Sequence, residues 1–524
     1  MAVLCGMRGN MLFSTKPAGT YETLLPDESK DDPLAYIGKD YEVLDGFHTN
    51  LPIVILDLDT EIPIYKEFRD KSEQLFDVEP YTTGRIEIID NGTGNNTLLD
   101  EVVYDSALKI KGRGHSSFSY DKMQYKFKSL LPDGNENNES ILGMGRGSEW
   151  ILNGSMADKS MIRNYLPYRI ASEIDGNNMA PDSRYCEVLM EEDGKLYYQG
   201  VFLLMETISR GEERVNIDKY RSKNIYSSYI VRRDRLTSFD IELDTFGREV
   251  GLVKGRESQE TDNWIGLKYP SASNVTDQTV DYITKDFSKV EQIIYSEDED
   301  VFRLYDKYIN VDSFVDYFLI NEYFGNYDAG EHSTYMHKNS GEPLYMGPVW
   351  DYDQALNNSR VEELKASDIA FQMQPFFKEL CNDKAFVEKL ITRYADLQQT
   401  YLSEEHVDDV IDETVAYLRS AQVREWYRWE ADYMDNTDEN PKNYHLLSVE
   451  RDGFILDRST DEYMQEIYVI KKYIHEHSIS IKGAIKQWEG TAQMDTSSEG
   501  LGGLFFILLL LVILLPSYII QRKG

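Results

Sequence analysis

The chain has 524 residues, of which 41% are hydrophobic and 12% aromatic, and this content excludes disorder of the chain as a whole. Its formal net charge of −37 would repel nucleic acid, so we expect no nucleic-acid partner. Three cysteines, Cys5, Cys186 and Cys381, cannot form a disulfide framework, although one Cys186–Cys381 bridge is left open. No zinc-protease, nucleophile-elbow or dinucleotide motif occurs, so the sequence gives no support to a hydrolase or a dehydrogenase.

The first half of the chain is predicted to be rich in strands. Residues 1–45 are typical of loop, with proline, glycine and aspartate. Between residues 51 and 125, β-forming segments alternate with turn signals, and they are IVILDLD, RIEIID, VVYDSALKIKG and QYKFKSLL. A helix is predicted near 160–173, after which RYCEVLM and LYYQGVFLLME flank the turn EEDGK. These elements predict a mainly antiparallel sheet with one inserted helix.

The second half is predicted to be helical except for one hairpin. VDSFVDYFLINEYF, which begins at Val311, has the composition of a buried helix. Segment 361–486 repeats apolar residues at i, i+3, i+4 and i+7, which is typical of amphipathic helices. Between these helical parts, residues 333–338 and 343–346 predict two strands joined by the turn Asn339-Ser340-Gly341. The order of sheet, hairpin and helices favours an α+β fold with two lobes.

Two aspartates flank this hairpin and carry most of the functional information. Asp328 lies before it in NYDAGEHSTYMHK, and Asp351 follows it in WDYD. A hairpin folds back on itself, so the residues that flank its two ends are expected to lie close together. One carboxylate could then orient a hydroxyl nucleophile while the other holds Mg²⁺ against a triphosphate, which is the layout of protein kinases.

Five motifs in order resemble the CotH family, the spore-coat-type atypical protein kinases. They extend over roughly 110–360 and read KGRGHSSFSYDKMQYKFK, WILNGSMADKSMIRNYL, YYQGVFLLMETI, NEYFGNYDAGEHSTYMHK and MGPVWDYDQAL. The resemblance implies an atypical kinase-like fold with a sheet lobe and a helical lobe. It also implies an ATP- and Mg²⁺-dependent protein Ser/Thr kinase, with Asp328 as the catalytic aspartate.

The resemblance and the residue types together suggest the metal ligands. Asp351 is the expected Mg²⁺ ligand, because Mg²⁺ prefers hard oxygen donors. Asp353 is two residues further on and would face the same side in an extended segment. Ser333 stands where a kinase usually has asparagine, five residues after the catalytic aspartate. A hydroxyl is a weaker Mg²⁺ ligand than an amide oxygen, so a second metal site is in doubt.

Four further residues are candidates for contacts with the nucleotide. Lys126, in an alternating strand, could bind the phosphates with Glu206 as its partner, with Lys122 and Lys128 as rivals and a solvated edge lysine as the alternative. Ser116, in Arg-Gly-His-Ser-Ser, could cover the phosphates, although a plain β-turn explains that segment equally well. Arg163 is a phosphate-clamp candidate through the family resemblance alone, because it could equally form an ion pair.

The end of the chain predicts a membrane anchor. Residues 501–520 are almost wholly apolar, and twenty residues at 1.5 Å each match a hydrocarbon core of ~30 Å. Gln521-Arg522-Lys523-Gly524 follows, and positive charge marks the cytoplasmic side, so the main domain is expected outside the cell. The N-terminal segment is a poor export signal. Either the given start is truncated or the protein is tail-anchored with a cytoplasmic domain. The positive charge after the apolar segment favours a truncated start, because it places the tail and not the main domain in the cytoplasm.

These elements give a domain division and a set of functions. The predicted parts are an extension (1–45), a CotH kinase-like domain (46–489, sheet-rich over 46–310, hairpin and helices over 311–489), a stalk (490–500), a transmembrane helix (501–520) and a tail (521–524). The acidic surface either keeps the protein soluble or favours a protein substrate with basic Ser/Thr-containing segments. The alternatives to a kinase are a catalytically silent surface or assembly protein on a kinase scaffold and an enzyme that transfers AMP.

Overall fold

The fold was analysed in a computed structural model of the chain. The residues that it describes are 32–62, 81–114, 120–236, 240–251, 263–358, 365–434, 449–451, 454–456 and 463–493. Ser116 and the predicted span 501–520 lie outside these residues. Within them, no helix is both long enough and apolar enough to cross a membrane.

The first part of the chain forms a closed barrel. The elements of this part of the chain, in order, are β1 (His48–Thr49), β2 (Ile53–Leu58), β3 (Thr82–Ile89), β4 (Asn96–Thr97), β5 (Val102–Arg113), β6 (Gln124–Leu130), β7 (Glu149–Asn153), α1 (Tyr165–Met179), β8 (Ser183–Glu192) and β9 (Lys195–Glu206). The barrel order is β2-β3-β5-β6-β7-β9-β8, and it is antiparallel except where β2 and β8 pair in parallel. Alternate residues such as Ile110, Phe127 and Trp150 fill its interior. The predicted antiparallel sheet is therefore largely confirmed, and its closure adds the parallel pair.

A second sheet lies beside the barrel. Its strands are β10 (Tyr229–Arg235), β11 (Ile241–Leu243), β12 (Asn263–Tyr269), β13 (Thr334–Lys338) and β14 (Tyr345–Met346), and their order is β11-β12-β10-β13-β14. All neighbouring pairs are antiparallel. The sheet thus takes strands from both sides of residue 310, and its central strand β10 carries arginines directly beside the predicted hairpin.

Helices make up most of the remaining described structure, as predicted. They are α2 (Phe246–Glu249), α3 (Asp277–Ile294), α4 (Glu299–Phe302), α5 (Tyr305–Tyr308), α6 (Val311–Tyr323), α7 (Phe377–Leu380), α8 (Lys384–Leu397), α9 (Glu404–Met434) and α10 (Tyr463–Gln493). A short strand pair, β15 (Val449–Arg451) and β16 (Phe454–Leu456), lies between the last two. Side chains cap four of these helices at the N-terminus: Thr276 caps α3, Asp298 caps α4, Asn310 caps α6 and Asp383 caps α8. The α+β class is confirmed.

The predicted helix near residue 160 begins later than expected. α1 starts at Tyr165, because the preceding residues form turns around the buried carboxylate of Asp158. That carboxylate accepts hydrogen bonds from the backbone N–H groups of Ser160 (3.0 Å) and Arg163 (2.8 Å). Met161 has a φ of 63°, which interrupts a helix. A polar side chain therefore competes with the helical backbone bonds here.

Helix α9 is fastened to the barrel by two buried ion pairs. Lys122 Nζ lies 2.6 Å from Glu425 Oε1, and neither side chain is exposed to solvent. Arg424 forms the second pair with Glu187, at 2.7 Å. Breaking a buried pair by removing one partner leaves an uncompensated charge, so these residues are structural. This pairing excludes Lys122 as the candidate phosphate-binding lysine in place of Lys126.

Candidate functional site

The hairpin is confirmed, and it brings the loops at its two ends together. β13 and β14 pair with Met336 opposite Met346 and His337 opposite Tyr345. Beyond their ends, Ser333 Oγ donates to Asp351 Oδ2 at 3.2 Å. A strand–turn–strand segment has thus placed the Asp328 loop beside the Asp351 loop, as its spacing predicts.

The Asp351 segment is held in an unusual backbone conformation. Asp351 has a φ of 63° and Ser333 a φ of 48°, both in the left-handed region that non-glycine residues rarely adopt. The Asp351 N–H donates to the hydroxyl of Tyr168 at 3.0 Å, and its carbonyl accepts from Asn326 Nδ2 at 3.3 Å. The prediction that Asp353 follows Asp351 in an extended segment is wrong. Such strain persists where the surroundings impose it, as at many functional sites.

Three carboxylates from the two loops influence one another. Burial is the main cause that raises the pKa of Asp351, and Arg113 and Ser333 oppose it. The pKa of Asp353 is raised well above its usual range by burial and then by the charges of Asp351 and Asp328. Carboxylates that resist ionisation because of each other's charge are stabilised by a cation placed among them. The electrostatics of this cluster therefore fit a metal ion.

The donor set fits Mg²⁺ better than a transition metal. In the described part of the chain, no three His, Cys, Asp or Glu side chains form a preformed metal cage. Mg²⁺ is usually bound by one or two carboxylates together with substrate phosphates and waters, so it does not require such a cage. Asp351 and Asp353 supply the carboxylates, and the hydroxyl of Ser333 lies against the first of them.

The loop that carries Asp328 is supported from below by β10. Arg233 is fully buried, and its Nη1 donates to the carbonyl of Gly330 at 2.9 Å. The N–H of Gly330 donates in turn to Thr334 Oγ1 at 2.6 Å. Gly330 has a φ of 95°, and a Cβ there would meet Gln374 at 2.7 Å. These contacts hold the loop in one shape and leave Asp328 half-buried.

Lys126 lies on the outer face of the barrel, the face that also carries Arg113. Its Nζ is 3.0 Å from Glu149 Oε2, while Lys128 Nζ is 2.6 Å from the other oxygen of the same carboxylate. Burial would raise the pKa of Glu149, but the charges of Lys126, Lys268 and Lys128 together hold it well below its usual range. Lys126 is therefore paired with a glutamate, and that glutamate is Glu149. Glu149 lies opposite Lys128 across the β6–β7 pair, a register that the local sequence does not reveal.

The predicted pair of Lys126 with Glu206 is wrong, for a reason of register. Lys126 lies opposite Ile151 on β7, whereas Glu206 lies opposite Trp150. Successive strand residues point to opposite faces of a sheet, so Lys126 and Glu206 lie on different sides of the barrel wall. Glu206 accepts instead from the N–H groups of Gly145 and Asp182, and burial raises its pKa to about 7.

Arg163, the predicted phosphate-clamp candidate, is engaged in buried ion pairs. Its side chain is fully buried, with Nη1 2.6 Å from Asp158 and 3.1 Å from Glu466. It joins the turns before α1 to helix α10, which is a structural role. Among the described residues, Cys186 and Cys381 are both free thiols, so the bridge between them that the sequence left open is not formed.

A buried histidine joins α10 to the end of α6, just before the Asp328 loop. His477 Nδ1 lies 2.9 Å from the carbonyl of Ala366, and Nε2 lies 2.7 Å from the carbonyl of Glu322. Carbonyls accept only, so this geometry favours a ring that donates from both nitrogens, which is the protonated form. Burial alone would lower the pKa of His477, but the Glu322 carboxylate outweighs it and raises the pKa above the usual value.

This histidine should make stability depend on pH. Because its folded pKa is raised, the stabilisation is complete below about pH 6.5 and is lost as the pH rises through the folded pKa. His477→Gln should reduce the free energy of unfolding by about 1.5–3 kcal/mol at pH 6 and by less at pH 9. Urea unfolding across that range measures both values, with His475→Gln, an exposed position on α10, as the control. A deficit that does not vary with pH would contradict the imidazolium.

The chain was also compared with known proteins. A family model described as CotH kinase protein matches residues 110–478. The match runs from the end of β5 to α10 and includes Lys126, Glu149 and the hairpin with both of its flanking loops. No curated protein matches the chain.

Proposed function

Because the chain belongs to the CotH kinase family, we propose that it is an ATP-dependent protein kinase that transfers the γ-phosphate to serine or threonine. The observation that carries this proposal is the convergence at the hairpin ends. The Asp328 loop and the Asp351–Asp353 segment meet there, and Arg113 of the barrel reaches the same place, with its guanidinium 5.8 Å from the Trp350 ring.

The charges of the site support phosphoryl transfer, in which catalysis consists mainly of positioning and electrostatic stabilisation. On one side lie the carboxylates, of which Asp351 and Asp353 are the proposed Mg²⁺ ligands, with Ser333 beside them. On the other side lie Lys126 and its partner Glu149, which could orient a phosphate chain. When bound, Mg²⁺ would neutralise charge on the phosphate oxygens.

Asp328 is the proposed base. It lies in the loop held by Arg233 and Thr334. The hairpin separates this loop from Asp351 and Asp353 along the chain, but in space the loops lie next to each other. From there it can orient the attacking hydroxyl and accept its proton. The substrate bias we propose, Ser or Thr beside Lys or Arg, rests on the net charge of −37, and such a bias should weaken as salt screens the surface.

Radiolabelled ATP separates this proposal from its alternatives. With Mg²⁺ and a basic Ser/Thr peptide, label from the γ position should appear on the peptide, and label from the α position should not. Transfer of α label would instead identify an AMP transferase. Nucleotide binding with no transfer of either label would favour a catalytically silent scaffold.

We propose further that the kinase is anchored by residues 501–520 with its main domain outside the cell. Protease added to intact cells should then remove the folded domain and leave a small membrane-bound C-terminal fragment. Digestion that occurs only after lysis would place the domain in the cytoplasm instead.

A further inference from the structure

Arg233, beneath the loop of Asp328, is a fully buried cation without a carboxylate partner in the described part of the chain. Its exposed fraction is 0%. Nη1 donates to the carbonyl of Gly330 at 2.9 Å, but Nε and Nη2 have no hydrogen-bond partner among those residues. None of their ion pairs, which extend to 4.0 Å, includes Arg233. Buried polar groups without a partner are unfavourable and rare, so a further group is expected at these nitrogens.

Glu291 of helix α3 is a buried carboxylate with the complementary need. Its exposed fraction is also 0%. Oε2 accepts from the N–H of Gly247 at 2.7 Å, whereas Oε1 has no hydrogen-bond partner within the described ranges. Burial is the main cause that raises the pKa of Glu291, and the N–H of Gly247 and then the charge of Arg233 oppose it. An unpaired acceptor and an unpaired cation are thus both present in this core.

Ring contacts place Glu291 close to Arg233. The Arg233 guanidinium lies 4.9 Å from the centroid of the Phe376 ring. Two residues of α3 contact the same ring, Phe287 at 6.4 Å and Tyr295, at the end of the helix, at 5.7 Å. Glu291 is four residues from each of them, so all three share one face of the helix. The face that carries Glu291 is therefore turned to the ring that covers Arg233.

A second carboxylate in this region is a weaker candidate for the partner. Glu379 of α7 also has a buried oxygen, Oε2, without a hydrogen-bond partner among the residues described. Its side chain is only half-buried, and the charge that lowers its pKa is that of the exposed Lys378. Glu291 is fully buried and responds to the charge of Arg233 itself, so it is the better match.

We propose that Arg233 and Glu291 form a buried ion pair bridged by one water molecule, and that this pair positions the loop of Asp328. A water can accept from Arg233 Nη2 and donate to Glu291 Oε1, and two hydrogen bonds of about 2.8 Å each span a separation greater than 4 Å. Arg233 binds Gly330, two residues after Asp328, so the pair ties the loop to helix α3. The positioning role rests on the proposed kinase function, and neither residue touches the substrate.

A crystal structure of the wild type, grown with bromide in the solution, tests the bridge directly. One ordered water should lie within about 3 Å of both Arg233 Nη2 and Glu291 Oε1, without an anomalous signal from bromine. A bromide ion at Arg233 would show that a small anion balances its charge in place of Glu291. Direct contact between the two side chains, or no atom between them, would also overturn the bridge.

Unfolding in urea tests the ion pair. Arg233→Met leaves the carboxylate of Glu291 buried without its counter-charge, so adding Glu291→Gln should restore part of the lost stability. Glu379→Gln is the matched control and should restore none. If the double variant is no more stable than Arg233→Met, or if Glu379→Gln restores stability instead, the pair is overturned. If Arg233→Met does not fold, the crystal structure of the wild type decides.

Kinetics test the positioning role. Glu291→Gln should lower kcat for phosphoryl transfer by about ten- to hundredfold and leave KM for ATP unchanged, because a displaced loop misplaces the base. In the Asp328→Ala background the same substitution should cause no further loss, since the base is already absent. A general structural defect would instead lower the rate equally in both backgrounds. Glu379→Gln should leave kcat unchanged in both.

The outcomes separate the positioning role from the proposed function. If wild type transfers the γ-phosphate and Glu291→Gln has the wild-type kcat, or loses the same factor with and without Asp328, the positioning role is overturned and the kinase proposal stands. If wild type transfers no phosphate, the kinase proposal fails and the positioning role fails with it. The crystal structure and the unfolding measurements still decide the ion pair in that case.

Discussion

Replacing Asp328 with alanine is expected to lower phosphoryl transfer by ~10²–10⁴-fold, the usual contribution of a positioned base. Nucleotide binding should survive, because the proposed metal ligands are Asp351 and Asp353 and the proposed phosphate-binding residue Lys126 lies on a barrel strand. The fold should survive as well, since Arg233 and Thr334 bond to the backbone of Gly330 in this loop. Single-turnover transfer to a basic peptide, measured beside nucleotide affinity, separates these two effects.

The control for this substitution is Asp281→Ala, which removes an exposed carboxylate on α3 and should leave transfer unchanged. If wild type and Asp328→Ala transfer label at the same low rate, Asp328 is not the base. Such a result with intact nucleotide binding would also favour the scaffold over the kinase. A loss of nucleotide binding in Asp328→Ala would instead move this residue into the binding site.

Asp351→Asn is expected to abolish the stabilisation of the protein by nucleotide in the presence of Mg²⁺. Ligand binding stabilises the folded state by RT ln(1 + [L]/Kd), about 2.7 kcal/mol at a hundredfold excess over Kd. The amide keeps the shape of the side chain but loses the negative charge that would bind the cation. Thermal unfolding with and without Mg²⁺ and nucleotide measures the difference.

The protein without ligand should respond in the opposite direction. Burial and the charge of Asp234 raise the pKa of Asp351, which means that its ionised form is unfavourable in the folded state. Asp351→Asn should therefore leave the ligand-free protein at least as stable as wild type. Lower stability without ligand would show that Asp351 is needed for the fold, and unchanged stabilisation by Mg²⁺ and nucleotide would remove it from the metal site.

Local sequence was sufficient for the features that depend on nearby residues. The hairpin between Asp328 and Asp351 was predictable because two short β-forming segments and their turn lie within one continuous stretch of chain. The long helices α8, α9 and α10 were predictable from apolar periodicity, which reflects a buried face on each. The α+β class followed from the order of these elements, and five motifs indicated the family.

The partners of individual charges were decided by the tertiary structure. Which glutamate meets Lys126 depends on the register of three strands, and a shift of one residue moves a side chain to the other face. Glu149 was therefore missed and Glu206 chosen wrongly. The family resemblance suggested Arg163 as a phosphate ligand, whereas the packing of α10 buries its side chain against Glu466.

The same distinction applies to the barrel and to the lysines Lys126 and Lys268. Closure needs the parallel pairing of β2 with β8, whose paired residues are more than 130 positions apart in the chain. The charge of Lys126 influences Lys268 only because the second sheet lies beside the barrel. The sequence by itself determined the local elements and the identity of the reactive side chains, because periodicity and turn chemistry act over a few residues. Only the tertiary structure decided which charges face each other, because register and burial depend on contacts between distant segments.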